Sequence, residues 1–197
     1  MSVVVLLPQL AYWKYSTGSW IYYSYQDESF FFARPRIIDG LISYRKGLLV
    51  YAPMLALAFA GMLLLPRRLR EWSWAVAMFT AVDLYVVLCW WCWWYGGSFG
   101  LRALVEAYAI WAIPMAATLE WLLSRGQVVT AVTLNTIALL ICLNFFQAAQ
   151  YWRGIIHWDS MTRDAYWSVF LRWRVPPNYE DLLRPPDYDR AARGEHE

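Results

Sequence analysis

The sequence predicts an all-α protein: a polytopic transmembrane helix bundle of four spanning helices plus a partial N-terminal one, with an interfacial helix and an extended external tail. Two observations carry this reading. Of 197 residues, 60% are hydrophobic and only 16% charged, with a mean hydropathy of +0.31, whereas a soluble domain is about 25% charged. A chain this short forms one core and cannot hide so much apolar surface inside a soluble globule. The second observation is that the apolar residues fall in runs approaching the ~20 residues that cross a bilayer. Soluble enzymes, disordered chains and disulfide scaffolds are thereby excluded. A net charge of +2 supplies no basic field for nucleic acid.

The elements follow in order along a single membrane domain, 1–197. Residues 3–13 are apolar but too short to span, and Pro8 interrupts them. No Lys or Arg precedes them, so the charged start of a signal peptide is lacking. The stretch reads as the last half of a helix whose beginning is missing, and the chain as a fragment of a larger protein. A short re-entrant or interfacial helix is the alternative. Residues 14–47 form an external segment. Within it, 35–46 places Ile37, Ile38, Leu41, Ile42 and Tyr44 near one helical face, with Arg36, Asp39, Arg45 and Lys46 largely elsewhere. That is the pattern of a helix lying in the membrane interface, and Phe30, Phe31 and Phe32 just before it are expected to dip into the bilayer.

Four spans occupy 48–148. Residues 48–65 carry Pro53 in their first turns and end at Pro66; 74–94 are interrupted only by Asp83. Residues 103–123 place Glu106 in the first turn and Glu120 near the far end, and 128–148 are cleanly apolar. The tail, 149–197, is rich in Pro, Asp and Arg beyond Val175 and reads as an extended, surface-hugging peptide. Short connectors carry Arg67, Arg68 and Arg70 on one side and Arg125 in a turn on the same side. Positively charged short loops stay inside, so 14–47, 95–102 and the tail are expected outside a bacterial cytoplasmic membrane. Trp72, Trp74, Trp90, Trp91, Trp93, Trp94, Trp121 and Trp152 cluster where helices should end, as in an interface belt; a sugar-stacking platform is the compatible alternative. Asp83, midway along a span, marks either a hydrogen-bonded packing contact or a pathway.

Chemistry concentrates in few places. Cys89-Trp90-Trp91-Cys92 has dithiol spacing, but inside an apolar run these read as buried small hydrophobes. His157 and His196 are the only histidines and lie far apart, so neither a metal cluster nor a cofactor is implied. His157 with Asp159 offers a possible external acid–base pair. In Trp94-Tyr95-Gly96-Gly97-Ser98-Phe99-Gly100-Leu101-Arg102, three glycines permit close backbone approach. Arg102 at the start of a helix suits a phosphate, the bland competitor being an Arg that snorkels to headgroups.

These residues also carry a resemblance. Ser43, Arg45, Gly47, Leu48, Tyr51 and Pro53, followed one helix later by Trp93, Trp94, Gly96, Gly97, Gly100 and Arg102, resemble two elements of bacterial GT-C superfamily glycosyltransferases. The nearest relatives are family 39, the protein O-mannosyltransferase-like membrane enzymes, in their C-terminal half. The match covers mainly residues 40–115. It implies transfer of a sugar from a polyprenyl-phosphate donor at the outer membrane face. Membrane lipid and the lipid-linked sugar are then the ligands, and missing N-terminal helices or a second subunit the partner. Arg102, Gly96, Gly97 and Gly100 are expected to hold the donor phosphate, with Arg45 and Lys46 as flanking positive charge. Such enzymes carry their catalytic acid in the first external loop. No acidic residue here maps onto it, since Asp27 and Glu28 fall in a later loop. The catalytic residue is therefore unassigned and the chain is expected to be inactive alone. A non-enzymatic membrane scaffold or assembly subunit is the competing reading.

Overall fold

The computed structural model describes residues 2–23, 25, 28–65 and 70–195. Asp27, Arg67 and Arg68, used in the loop and topology arguments above, lie outside them. Among the described residues the chain is helical and holds no strand, only one isolated antiparallel bridge between Phe30 and Trp90. The all-α expectation therefore stands. Ten α-helices can be named among these residues.

Helix α1 spans Ser2–Thr17 and runs straight through Pro8, which does not interrupt it as expected. Helix α2 is Ile37–Ile42, half the length expected of the interfacial helix. Ser43 turns extended (ψ 141) and ends it, leaving Ile38 and Ile42 outward and Gly40 buried. A Cβ at Gly40 would sit 2.3 Å from the Leu88 side chain, which would have to move to admit it.

Two long helices are apolar enough to cross a membrane: residues 102–123, comprising a 3₁₀ turn Arg102–Ala107 and α6 Tyr108–Leu123, and α7 Gln127–Trp152. At ~1.5 Å per residue, the 26 residues of α7 reach about 39 Å. Val128, Val132, Leu139 and Phe145 on α7 are 77%, 61%, 70% and 72% exposed, an apolar surface that asks for lipid or a partner. The other two expected spans are shorter. Residues 48–65 break into α3 Leu48–Tyr51, a 3₁₀ turn Pro53–Leu55 and α4 Ala56–Met62. Ala52 leaves helical geometry (φ −134, ψ 63), as residues before proline do. The span expected at 74–94 is α5 Arg70–Leu88. It stops early because residues 29–31 capture its end: Phe31 N–H donates to Cys89 O (2.7 Å) and Trp91 N–H to Ser29 O (3.1 Å).

Helix α4 packs closely on α6 because Gly61 has no side chain. A Cβ there would lie 1.8 Å from Pro114 O, and Thr118 Oγ1 donates across the crossing to Leu57 O (2.8 Å). Trp111, fully buried on α6, donates from Nε1 to Thr80 Oγ1 on α5 (3.0 Å). Not every buried polar atom is matched in this way: among the described residues Asp83 Oδ2 on α5 and Gln147 Oε1 on α7 are buried without a hydrogen bond, so the hydrogen-bonded packing contact expected of Asp83 is not made through that oxygen.

The tail folds rather than lying extended, which corrects the sequence reading. Helices α8 Arg163–Val169, α9 Tyr179–Leu182 and α10 Tyr188–Ala192 build a cap around Ile155, Ile156, Met161, Ala165, Tyr166, Val169 and Tyr179, which pack with Tyr51. Thr162 caps α8 by accepting the Ala165 N–H (3.1 Å), and its hydroxyl donates to Leu182 O (2.7 Å). The last turns of α7 hold this cap with three amides spaced three apart. Asn144 donates to Tyr51 O (2.6 Å) and Gln147 to Tyr166 Oη (2.6 Å). Gln150 donates to both Val169 O and Arg172 O (2.7 Å each).

Candidate functional site

Residues 28–47, 89–102 and 155–195 meet in one layer beyond the end of α5. The glycine turn is set by backbone sterics. Gly96 (φ +63) and Gly100 (φ +58) adopt left-handed geometry, and so does Tyr95 (φ +54), which is disfavoured for a residue with a side chain. Tyr95 is held there by its N–H to Cys92 O (2.8 Å) and its hydroxyl to Val87 O (2.7 Å). The three glycines differ in role. Around Gly96 there is open space; a Cβ at Gly97 would meet the Trp158 ring at 3.2 Å, and one at Gly100 would meet Tyr51 Cβ at 3.2 Å.

Lys46 is buried, 1% exposed. Its ammonium donates to Ser98 O and to Ser98 Oγ (3.3 Å), joining the two motif-bearing segments. Burial pushes its pKa down to about 8; Asp159 opposes the shift, and the charges of Arg102 and Arg45 reinforce it. Arg45 donates to Asp159 O (3.0 Å) and lies over the Trp94 ring (5.5 Å).

Of the hollows that open around this layer, three bear on the expected site. One, of about 530 Å³, is lined by Arg34, Arg36, Arg45 and Arg163 against Trp90 and Trp94. A second, about 590 Å³, holds Arg102, Gly96, Tyr95 and Glu28 with Tyr25 and Trp91. The third is an apolar groove of about 530 Å³ between Tyr51, Pro53, Phe99 and Gly100 on one side and Leu140 and Phe145 on the other.

The expected phosphate residues are thus close in space but not in one pocket. Arg102 and Gly96 line the second hollow, Arg45 the first and Gly100 the groove, while Lys46 is buried between them and Gly97 faces Trp158. Arg102 is exposed and opens the helical stretch 102–123 through a six-residue 3₁₀ turn, so it stands at a helix start as expected, although that start has 3₁₀ rather than α geometry.

The expected acid–base pair is also differently used. His157 Nδ1 lies 3.3 Å from Asp159 Oδ1, but the same nitrogen accepts the N–H groups of Asp159 (3.3 Å) and Ser160 (3.1 Å). A nitrogen that accepts there carries no proton to share with the carboxylate. The Asp159 carboxylate, 2% exposed, instead accepts from Ser160 Oγ (2.6 Å) and Tyr188 Oη (3.0 Å). Both residues fasten the cap. Cys89 and Cys92 are free and buried, and among the described residues no group of three His, Cys, Asp or Glu could hold a metal.

Two features escaped the sequence reading. The amides Asn144, Gln147 and Gln150 were legible as a polar stripe at helical spacing inside an apolar run. Arg34 and Arg36 flank Pro35 beside the phenylalanine triplet, and their number in one short segment was the available signal. No protein-family model, no curated protein and no solved structure matches this chain.

Proposed function

We propose that this chain is the lipid-phosphate-binding part of a GT-C-type membrane glycosyltransferase, taking a polyprenyl-phosphate-linked sugar at the outer face of a bacterial cytoplasmic membrane. The observation that carries the reading is the course of residues 96–102. Gly100 and Leu101 line the apolar groove, while Gly96 and Arg102 line the aromatic hollow that holds the guanidinium. A lipid phosphate needs both surfaces side by side: an apolar channel for its chain and a bidentate donor for its head. The two segments carrying the family resemblance also pack on each other through Lys46 and Ser98. In this reading α5 crosses the membrane beside α6 and α7, α3 and the 3₁₀ turn Pro53–Leu55 line the donor groove, and the cap faces outward. The catalytic acid comes from outside this chain, which is inactive alone.

Binding of polyprenyl phosphate to the chain in lipid nanodiscs tests the proposal. Arg102→Lys keeps the charge but loses the fork-shaped geometry, so it should weaken binding by ~1–3 kcal/mol, the scale of a hydrogen bond to a charged group. Unchanged binding in both Arg102→Lys and Arg102→Ala, with normal folding, overturns it and returns Arg102 to a structural role, as a scaffold would have it.

A further inference from the structure

The first hollow, which Arg102 does not line, shares only Arg45 with the residues expected to hold the donor phosphate. Four arginines line it, Arg34, Arg36, Arg45 and Arg163, against Asp39 and Glu195 as its acidic residues, with Trp90 and Trp94 among its walls. Arginine stays charged under all ordinary conditions and presents paired N–H groups matched to phosphate oxygens. Arg34 and Arg36 stand two residues apart across Pro35, whose ring fixes the backbone between them.

Besides Asp39, which pairs with Arg36 (3.5 Å), what sits on these donors is the chain's own C-terminal segment. Arg34 donates to Gly194 O (3.0 Å) and Arg36 to Glu195 O (2.7 Å). The segment is held from behind by Ala191, buried among Trp93 and Trp94, and by Tyr188, whose hydroxyl reaches Asp159. Asp187 caps α10 by accepting the Arg190 N–H (2.9 Å). The Glu195 carboxylate pairs with Arg190 (3.2 Å) and Arg193 (2.9 Å) of its own segment, all three side chains being exposed, and exposed pairs contribute little to holding it. A backbone carbonyl offers a guanidinium a single neutral oxygen, whereas a phosphate presents anionic oxygens that take two parallel N–H groups.

We infer that this arginine-lined hollow is a second anion site, for a phosphate monoester or diphosphate group, and that residues 188–195 are a lid which occupies its donors until the anion displaces it. The phosphate is borne by a lipid headgroup or by a soluble ligand, and the chemistry of recognition is the same. The inference is independent of the donor reading, because Arg102 lies in the other hollow.

The test uses the whole chain in phosphatidylcholine nanodiscs with inorganic pyrophosphate as probe. The double variant Arg34→Gln/Arg36→Gln should bind pyrophosphate at least tenfold more weakly than the wild type. Gly194→Val acts on the lid alone: Gly194 has φ +70, and a Cβ there would lie 2.7 Å from the Phe31 ring. A β-branched residue cannot hold that backbone, so the lid lifts and pyrophosphate affinity should rise at least threefold. In the wild type, pyrophosphate should speed amide hydrogen exchange at residues 190–195. Polyprenyl-phosphate binding should be the same in Arg34→Gln/Arg36→Gln as in the wild type, which separates failure here from failure of the donor reading. Phosphatidic acid in the nanodisc competes if the natural phosphate is a lipid headgroup and does not if it is soluble; either result leaves the site standing. Undiminished affinity in the double variant overturns the inference, as does unaltered or weaker affinity in Gly194→Val.

Discussion

Replacing Gln150 by Leu should loosen the cap that positions both arginine clusters, and the size of the effect can be worked from the geometry. Gln150 is 1% exposed, and its amide donates to Val169 O and Arg172 O at 2.7 Å each. Val169 O also accepts the Arg172 N–H (2.9 Å), so it keeps a partner and loses only the net value of one bond, ~0.5–1.5 kcal/mol. Arg172 O, on an exposed residue, loses its side-chain donor in a half-buried contact, a further ~0.5–1.5 kcal/mol. Leucine fills nearly the same volume, so no large cavity adds to this. The sum is about 1–3 kcal/mol, a sizeable part of the ~5–15 kcal/mol total stability of a typical protein. Chemical unfolding in bicelles gives the global figure, and hydrogen exchange over residues 155–172 shows whether the loss is local to the cap. A change below about 0.5 kcal/mol, with exchange unaltered, would refute the claim that α7 clamps the cap through this amide.

Two further substitutions probe the bundle and the buried lysine. Gly61→Ala places a methyl 1.8 Å from Pro114 O and 2.5 Å from Pro114 C. Backbone cannot step aside as a side chain can, so the α4–α6 crossing should open with a loss of at least ~1–3 kcal/mol, read by the same unfolding assay. Lys46 has its pKa lowered from 10.5 to about 8 by burial; between those values the unfolded chain binds a proton that the folded chain has shed. Stability from this group therefore rises as pH climbs from about 8 to 10.5, and the difference in unfolding free energy between wild type and Lys46→Met should change across that window and stay flat below it.

The longest apolar runs announced their helices because nothing non-local competes with them. Residues 103–123 and 128–148 needed only hydropathy, and both helices form. The span expected at 74–94 could not be bounded this way. Its end is fixed by Ser29 and Phe31, some sixty residues earlier, which take up the backbone groups of Cys89 and Trp91. Pro53 was visible, but its consequence depends on Ala52 turning out of helical geometry. The tail misled for a related reason. Its prolines and aspartates suggest an extended peptide, yet Asp187 serves as a helix cap and Tyr179 is buried, donating to Ile155 O. The order of that tail rests on Gln147 and Gln150, whose partners no local pattern reveals. The candidate site was legible as a pair of motifs. What the motifs could not convey is that Arg45 and Arg102 face different hollows, with Trp90 and Trp91 lining both.

Lys46 weighs on the choice between a binding protein and a scaffold. A buried ammonium is expensive unless it is well partnered, and replacing buried charge by packed apolar groups is often neutral or stabilising. Here the ammonium has Ser98 as its hydrogen-bond acceptor, feels Arg102 and Arg45 as like charges, and has Asp159 as the opposing one. The Asp159 carboxylate meanwhile takes its hydrogen bonds from the hydroxyls of Ser160 and Tyr188. A cap that served only architecture would be more stable with a methionine or leucine at 46. A fixed positive charge beneath the glycine turn raises the potential at Arg102, and that gain is realised only when an anion arrives. Under the proposed function the cost of burying Lys46 is met continuously, while its benefit comes only with the anion.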